Sequence, residues 1–548
     1  MSIFRRRAIF RDALAAVFFV AASISVGAQR PERLITTWQP TQFDITLTFE
    51  RGLSQIAAAK ADVLVRIDQN DVSMVDFDFG TLTVSSVTLD GKPARFLQHD
   101  GKLDVYLVRP AARGQKFKIT VEYSGKPVDG LILTNDMDGL PSAIGDNWPD
   151  RVHNWIPCLD HPSAKAPVRF TVTAPAENVV TANGSLVSTA DGPNGTKTWA
   201  YDEAKPISPY NMVVAIGQFA TGTLQGPSPV PVSYYVPRSK GLYGEKAFAP
   251  AITALDTYTR LISDPYPYKK LALIVGATRY GGMENANTIV LMPTFFDNFL
   301  AAAGRSSRFD IPTNREELEA HEVAHQWFGD SVTESTWADL WLSEGFATYF
   351  AGLFVEENEG EIAFHTYMEE KEKAYLAYEK HTKTPIHDTD TISLFALLNP
   401  NNYEKGAYVL HTLRGMLGDR EFRTGIALYY KAHKDGLATT DDLRKAFEKA
   451  SGRDLKGFFD RWVYKSGHPI YQISWTDAGG GKIRLTLNQK QEDEAFLQPV
   501  TVGITTKTGS HLYTITPTGK ESEMTITSSA PQQITIDPSD FILKEVVQ

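Results

Sequence analysis

Two histidines and two glutamates stand at spacings that suit a catalytic metal site. His321 and His325 lie four residues apart in the stretch His-Glu-Val-Ala-His, and Glu344 follows after a gap of 18 residues. On a helix, side chains four residues apart share one face, so both imidazoles can reach a single ion. Two histidine nitrogens and one carboxylate form the ligand set of a catalytic zinc site, with a fourth position open for water. Glu322, one step round the helix, is placed to take a proton from that water.

The helices that must carry these residues have recognisable start and stop signals. Thr313 and Glu316 have the spacing of a capping box before the first helix, and Gly329 provides a stop. Ser335 or Thr336 can cap a second helix, whose predicted apolar face is formed by Ala338, Leu342, Ala347 and Phe350. Two antiparallel helices would bring the three predicted ligands together. The alternative interpretation is two surface histidines and an unrelated glutamate.

A second motif precedes the first and could recognise a substrate. Its carboxylate, Glu284, stands 37 residues before His321, and the motif consists of Gly281, Gly282, Met283, Glu284 and Asn285. It follows the apolar run 271–275, which predicts a buried strand. Two adjacent glycines allow another backbone to approach closely, and a carboxylate near the metal can pair with the free α-ammonium of a peptide. Taken alone, the same five residues are also typical of a simple turn.

The two motifs together resemble the M1 family of zinc aminopeptidases. Members of this family are gluzincins, in which Gly-x-Met-Glu-Asn precedes His-Glu-x-x-His-x18-Glu. The resemblance extends over the stretches 325–330, 341–347 and 403–406, and over 154–162 in the N-terminal part. It therefore spans the catalytic region and reaches into the segment before it.

The resemblance implies roles for further residues. Tyr403 stands where the family has a tyrosine that stabilises the tetrahedral oxyanion, although the residue alone would be an ordinary half-buried aromatic. Tyr280 is expected to border the pocket for the first side chain, and Gly281 and Gly282 to align the substrate as an extended strand. Asp339 is a candidate to orient a ligand histidine, the alternative being a helix-surface carboxylate.

One position departs from the family pattern. Many members place a glutamine and a glutamate upstream of the residue that corresponds to Asp160, and that glutamate helps to hold the substrate's amine. This chain has Asp146 and Trp148 at the matching positions. Asp146 and Asp150 are the candidates to substitute for the missing amine anchor, whose loss would relax the selectivity for free N-termini.

The first 28 residues have the pattern of a secretory signal peptide. Four arginines precede a mostly apolar segment, 13–26, and Val26-Gly27-Ala28 is an acceptable cleavage site. An uncleaved anchor is the alternative. The prediction is a protein exported to the periplasm or the medium, without a stable membrane anchor after cleavage. The single cysteine, Cys158, excludes an intrachain disulfide.

The charge balance argues against nucleic acid and anionic membranes as partners. The chain carries 55 basic and 65 acidic residues, a net charge of −10. Removal of the predicted signal peptide, with four arginines and one aspartate, makes the mature chain more acidic still. Nucleic acids and acidic lipids attract basic surfaces, so neither is a predicted partner. The resemblance implies instead that the partners are peptides with a free N-terminal amine.

The hydrophobic pattern predicts a multidomain α+β protein. Alternating segments such as 43–49 and 117–123 predict an N-terminal antiparallel β domain over residues 29–237. A helical pattern over 238–468 contains the catalytic motifs, and the resemblance implies a thermolysin-like domain there. Strands are predicted again over 469–548. The resemblance implies the three-domain form of the family, without the large helical C-terminal domain that many members carry. Some 80 residues suffice for a small β-sandwich.

These observations predict an exported zinc aminopeptidase, a hydrolase with one Zn2+ per chain. Two other functions remain open. The first is a gluzincin endopeptidase or a bifunctional epoxide hydrolase on the same zinc site. The second is a binding protein with a relict site. The sequence does not reveal the preferred N-terminal side chain, the oligomeric state or the physiological substrate.

Overall fold

The structure is a computed structural model, and it describes residues 32–226, 229–296 and 315–548. The predicted signal peptide, 1–28, and Thr313 of the predicted capping box lie outside the described residues. Among the described residues, no helix combines the length and the apolar character that crossing a membrane requires.

The segment before residue 238 is built from strands, as the alternating pattern predicts. The strands are Trp38–Phe49 (β1), Ile56–Ile67 (β2), Val72–Asp78 (β3), Thr83–Leu89 (β4), Lys92–Pro93 (β5), Phe96–His99 (β6), Lys102–Ala111 (β7), Lys116–Gly125 (β8), Leu131–Asn135 (β9), Pro141–Gly145 (β10), Ala166–Pro175 (β11), Val179–Ala182 (β12), Ser185–Asp191 (β13), Thr196–Ile207 (β14), Val214–Gly217 (β15), Phe219–Leu224 (β16) and Val232–Pro237 (β17). In β1 every second side chain from Phe43 to Phe49 is buried, which matches the sequence alternation.

A long sheet dominates this β region. Its strand order is β13-β14-β11-β1-β2-β8-β4-β5, and smaller sheets have the orders β3-β7-β6 and β12-β15-β10-β9. Most neighbours are antiparallel, as predicted, but β1 and β11 pair in parallel, with Phe43 opposite Val168. This pair joins strands that are distant in the chain, so no local turn constrains their direction.

The catalytic region combines a mixed sheet with helices. The strands Leu271–Val275 (β18), Gly282–Met283 (β19) and Thr288–Leu291 (β20) complete a sheet with the order β16-β17-β18-β20-β19, and Val332–Glu334 (β21) pairs with Gly436–Ala438 (β22). The sheet takes strands from both sides of the predicted boundary at residue 237, because β17 pairs in parallel with β18. All five residues of β18 are buried, as its apolar run predicts.

The helices of this region pack against strands of the mixed sheet and against one another. They are Gly244–Ala247 (α1), Ala249–Ile262 (α2), Arg315–His325 (α3), Trp341–Glu359 (α4), Glu361–Glu379 (α5), Gly406–Leu417 (α6), Asp419–His433 (α7), Thr440–Ser451 (α8) and Lys456–Trp462 (α9). Short 3-10 turns include Val152–Asn154, Pro209–Asn211, Trp337–Asp339 and Leu394–Leu397, and a π-helical turn, Asn401–Lys405, leads directly into α6.

The C-terminal region consists of two sheets, and both contribute to a hydrophobic cluster that extends through all three regions of the chain. Its strands are Ile470–Gly479 (β23), Lys482–Gln489 (β24), Val500–Thr506 (β25), Gly509–Ile515 (β26), Glu521–Thr527 (β27), Gln533–Ile536 (β28) and Glu545–Val546 (β29). The sheets have the orders β27-β24-β23-β29 and β26-β25-β28. Buried residues from both, such as Leu485 and Val502, belong to the same hydrophobic cluster.

The predicted ends of two helices need correction. Helix α3 ends at His325, four residues before the predicted stop at Gly329. Helix α4 starts at Trp341, and neither Ser335 nor Thr336 caps it: Thr336 instead precedes a 3-10 turn, without a side-chain cap. Helix α4 is buried on all sides from Trp341 to Val355, so packing rather than capping or amphipathic character stabilises it.

A pair of glycines lets α4 approach the turn that carries Tyr403. Gly345 follows Glu344, and Gly406 follows the π-helical turn. A Cβ atom added at Gly345 would lie 2.9 Å from the Cα of Gly406, and one added at Gly406 would lie 3.0 Å from the Cα of Gly345. The two backbones are therefore in direct contact, and no larger side chain fits at either position without moving one of them.

We predict that Gly345→Ala destabilises the protein by about 1–3 kcal/mol, because the added methyl group overpacks a backbone contact. Thermal unfolding measures the effect as a lower Tm. The matched control is Gly457→Ala in α9, where an added Cβ has no atom within 4 Å. That helical substitution should leave Tm unchanged or raise it. Equal Tm values for the two variants would contradict the packing argument.

Candidate active site

The structure brings His321, His325 and Glu344 together. The Nε2 atoms of the two histidines are 3.0 Å apart, and each is 3.3 Å from Oε2 of Glu344. These three residues form a group whose ligand atoms all lie within 4.8 Å of one another. Three potential metal donors therefore converge on one point, as their spacing in the sequence predicts.

Two packed helices produce this convergence. The histidines occupy one face of α3, and Glu344 lies in the first turn of α4, which packs against α3. The imidazole planes cross at 80°, with ring centroids 4.6 Å apart, so both edges face Glu344. His325 and Glu344 are buried, while His321 keeps some exposure to the cavity.

The second nitrogen of His325 is held by the linker between the two helices and by the first turn of α4. Nδ1 of His325 lies 3.1 Å from the carbonyl oxygen of Phe328 and 3.0 Å from Oγ of Ser343. If Nδ1 carries the hydrogen and donates it to the carbonyl, Nε2 keeps a lone pair. That lone pair points toward the other two potential metal ligands, His321 and Glu344. Sequence reasoning missed Ser343, although it directly precedes Glu344.

Asp339 does not orient a ligand histidine, which corrects the prediction from the sequence. Its carboxylate accepts hydrogen bonds from the backbone N–H and the hydroxyl of Thr440, and it lies 3.2 Å from Nδ1 of His387. Asp339 is also buried, so the alternative of a surface carboxylate is equally wrong. It lies in the 3-10 turn before α4 and links that turn to the start of α8.

Glu322 and Glu284 add two further carboxylates to the cluster. Together with His325 they form a second group whose ligand atoms lie within 4.8 Å of one another. Both are buried, and Oε2 of Glu322 has no hydrogen-bond partner among the described residues. The backbone oxygen of Glu284 accepts a hydrogen bond of 2.7 Å from the Gln326 side chain. Gln326 thus fixes the backbone of Glu284. The sequence did not indicate this role.

The electrostatics of the cluster follow from burying several carboxylates together. Burial raises the pKa of Glu284 to about 7, with Glu344 adding to the effect and His325 opposing it. Burial alone would lower the pKa of His325, but Glu344 and Glu284 outweigh it and raise that pKa to about 10. Burial likewise lowers the pKa of His321, which favours its neutral form. The raised pKa of Glu284 means that these buried carboxylates resist being ionised together, and a bound cation would favour their ionised forms.

The glycine motif forms the edge of the mixed sheet next to α3. Gly282 and Met283 constitute β19, which pairs with β20 on one side and is the last strand of the sheet. A Cβ atom added at Gly282 would overlap the carboxylate of Glu322, so a larger residue there would have to displace that side chain. Asn285 is fully buried beneath the motif, and its side chain donates to the carbonyl of Met283. It does not line the cavity.

Tyr403 lies across the cluster from the glycine motif. Its ring stacks on the imidazole of His321, with centroids 6.1 Å apart and planes 10° apart. Burial raises the pKa of Tyr403 well above its ordinary value, and the neighbouring Glu344 adds to the effect. The phenol is therefore a protonated hydrogen-bond donor.

The clustered histidines and glutamates, Tyr403 and the first four residues of the glycine motif line one cavity of about 290 Å³. Its lining includes the predicted Tyr280, Gly281, Gly282, Met283, Glu284, His321, Glu322, His325, Glu344 and Tyr403. Sequence reasoning missed the rest, namely Glu317, Leu318, Thr348, Ala351, Tyr367, Lys371, Leu398 and Glu404, and did not give Trp148 a role there. Nothing in the spacing of these residues distinguishes them from residues on the surface of an ordinary helix or loop.

Neither proposed replacement for the amine anchor lines this cavity. Asp146 is fully buried, and its Oδ2 lies 3.0 Å from the guanidinium of Arg151. It also accepts hydrogen bonds from the Thr278 hydroxyl and the Arg279 backbone N–H. Asp150 lines a different cavity. Of the two positions that depart from the family pattern, Trp148 is the one that lines the candidate site.

Two family models match most of the described chain. The peptidase family M1 domain matches residues 247–462, and the peptidase M1 N-terminal domain matches residues 39–211. The first of these ranges contains every residue of the candidate site except Trp148, and the second contains Trp148.

Similar proteins carry the name aminopeptidase. "Leucyl aminopeptidase" of Saccharolobus solfataricus is 27% identical over 81% of this chain and 56% of its own length. "Aminopeptidase M1-D" of Oryza sativa subsp. japonica is 29% identical over 64% of this chain and 40% of its own. "Probable aminopeptidase 1" of Sulfurisphaera tokodaii is 28% identical, with coverages of 74% and 51%. The chain spans about half the length of the curated relatives it matches.

We predict that Ser343→Ala weakens Zn2+ binding about tenfold, at the lower end of the usual effect of losing such an outer hydrogen bond. The effect should be modest because the Phe328 carbonyl still contacts Nδ1 of His325. Competition with a chelator of known affinity measures the change. Ser188→Ala, at an exposed position of β13, is the matched control. Equal zinc affinities in both variants would contradict the role of Ser343.

Proposed function

This chain belongs to peptidase family M1, and on that premise we propose that it is a zinc-dependent aminopeptidase that removes the N-terminal residue of peptides. The observation that carries the proposal is the convergence of His321, His325 and Glu344 beside two further carboxylates, Glu322 and Glu284. Export belongs to the proposal too, supported by the arginines and the apolar segment within residues 1–28.

The donor set fits zinc in kind and in spacing. Ligands at about 2.0–2.1 Å from a tetrahedral centre lie about 3.3 Å from one another. The three donor atoms here are 3.0–3.3 Å apart. His321, His325 and Glu344 would hold the ion. When bound, zinc would supply Lewis acidity, which polarises the scissile carbonyl and lowers the pKa of water toward about 7.

Glu322 is the proposed general base. Its free Oε2 atom and its position beside the ligands suit it to accept a proton from the attacking water. It then returns this proton to the leaving amine, so that the peptide nitrogen departs as a neutral group. Gly282 leaves room for this carboxylate, because a side chain at that position of the edge strand would overlap it.

The remaining residues orient the substrate and stabilise the charge that develops. The Tyr403 phenol donates a hydrogen bond to the oxyanion, because burial keeps it protonated. Glu284 pairs with the substrate's free α-ammonium, which sets the distance from the N-terminus to the scissile bond. The outer edge of β19 can pair with the substrate backbone as an added strand.

We predict that Glu322→Gln retains zinc but lowers kcat by about 10²–10⁴-fold, because the amide cannot accept the proton. Zinc content and steady-state rates are measured on the same sample. The substitution preserves the size of the side chain, so the ligand group should keep its geometry. Turnover near the wild-type rate would exclude Glu322 as the base.

We predict that Tyr403→Phe lowers kcat by about 10²–10³-fold with little change in KM, because its hydrogen bond forms mainly in the transition state. Steady-state kinetics with one aminoacyl-arylamide separates the two constants. Tyr375→Phe in α5 provides a control at another buried tyrosine, one that does not line the cavity. A rise in KM alone would assign Tyr403 to ground-state binding instead.

The experiment that tests the function compares arylamides with free and acetylated amines. We predict hydrolysis of the free-amine compounds only, and a loss of about 30-fold or more in kcat/KM for Glu284→Ala, as expected when a buried charge pair loses one partner. Hydrolysis of the acetylated compounds at similar rates would favour an endopeptidase. The absence of hydrolysis from a zinc-loaded sample would contradict the proposal.

A further inference from the structure

Trp148 forms part of the wall of the candidate site where the family pattern has an acidic residue. Its side chain is only 3% exposed, and it lines the cavity together with Tyr280, Met283, Glu284 and Leu398. Trp148 also belongs to one hydrophobic cluster with Met283, which directly precedes the carboxylate that is proposed to hold the substrate's amine. A side chain that branches from the carbon next to that amine must pass close to this wall.

Other aromatic rings hold the indole in place. It makes edge-to-face contacts with Tyr280 at 5.9 Å, with Trp337 at 5.7 Å and with Phe395 at 6.2 Å between ring centroids. Trp337 and Phe395 line a second cavity of about 320 Å³. Trp148 thus lies between Tyr280, which lines the candidate site, and the two rings that line the second cavity. The bulk of the indole limits how far a bound side chain can extend toward that second cavity.

The loop that carries Trp148 is fixed by Arg151 and by Asp146, one of the two candidates for the amine anchor. Arg151 donates to the backbone oxygen of Trp148 at 2.7 Å and pairs with Asp146 at 3.0 Å and with Asp129 at 2.7 Å. Asp146 in turn accepts a hydrogen bond from the backbone of Arg279, next to Tyr280. Asp146 is therefore a positioning residue that ties the Trp148 loop to the Tyr280 loop.

The loops of Trp148 and Tyr280 offer no charge to a substrate side chain. Outside the cluster, the carboxylates that line the cavity are Glu317 on α3 and Glu404 in the π-helical turn, on other elements. Arg151 is occupied by two aspartates, and Arg279 pairs with Asp129 at 2.7 Å. Lys371 is the lysine among the described residues that line the cavity. It belongs to α5, and its ammonium lies 4.3 Å from the centroid of the Tyr367 ring. A charged first side chain would therefore be desolvated against aromatic and aliphatic groups without an ion-pair partner of its own.

We propose that Trp148 determines the specificity of this enzyme for the first residue of its substrate. It selects uncharged, apolar side chains that pack against the indole, and it sets their upper size by closing off the neighbouring cavity. The inference rests on the proposed aminopeptidase function and extends it to a substrate class, namely peptides with an aliphatic or aromatic N-terminal residue.

The experiment ranks kcat/KM for arylamides of Ala, Leu, Phe, Lys and Glu, using the full chain loaded with zinc. In the wild type, Leu or Phe should exceed Lys and Glu by about 100-fold or more, because an apolar pocket leaves a charge unpaired. Trp148→Ala should lower the ratio of Leu to Ala by about tenfold or more, as the packing surface for the larger side chain is lost. Trp148→Phe should keep an apolar preference and raise the ratio of Phe to Leu, because the smaller ring leaves more room.

The control is Trp475→Ala in β23, where the side chain is 37% exposed and far from the cavity lining. It should leave every ratio unchanged. A wild-type preference for Lys or Glu overturns the proposal, and so do unchanged Leu-to-Ala and Phe-to-Leu ratios in the two Trp148 variants. If Trp148→Ala fails to fold, as its Tm would reveal, the wild-type ranking and the Phe variant decide. A wild type that hydrolyses none of the compounds refutes the proposed function itself.

Discussion

The burial of three carboxylates and two imidazoles within a few ångströms is the constraint on which the rest of this structure depends. Each uncompensated buried charge costs several kcal/mol, so Glu284, Glu322 and Glu344 can be ionised together in the interior only beside positive partners. His325 supplies one such partner, as its raised pKa indicates. A divalent cation held by both histidines would compensate the cluster more fully, and a substrate ammonium would complete the balance at Glu284.

The surrounding fold holds this unfavourable group in place. Contact between Gly345 and Gly406 brings the helix of Glu344 against the turn of Tyr403. On the other side, Gly282 of β19 lies next to Glu322, and a methyl group added at Gly282 would overlap the Glu322 carboxylate. The cluster is thus confined between an edge strand and packed helices, which keeps its donors aligned and restricts access to one cavity.

Much of the site could be predicted because its geometry is local. Helical periodicity alone places His321 and His325 on one face, and the apolar run before the glycine motif identifies β18. The parts that escaped prediction depend on tertiary contacts. Asp339 has the composition of a surface residue, yet Thr440, from a helix about a hundred residues away, binds it. The role of Trp148 was equally hidden, because the rings that hold it come from three separate segments.

The central claim is that the two histidines and Glu344 bind one zinc ion. The most direct test is the zinc content of the purified chain after exhaustive dialysis against metal-free buffer, measured beside His325→Ala and Glu344→Gln. The account predicts one zinc per chain in the wild type and a loss of bound zinc in both variants, with the folded state checked by circular dichroism. A wild type without zinc that also fails to take it up on titration, or variants that still retain one equivalent, would contradict it.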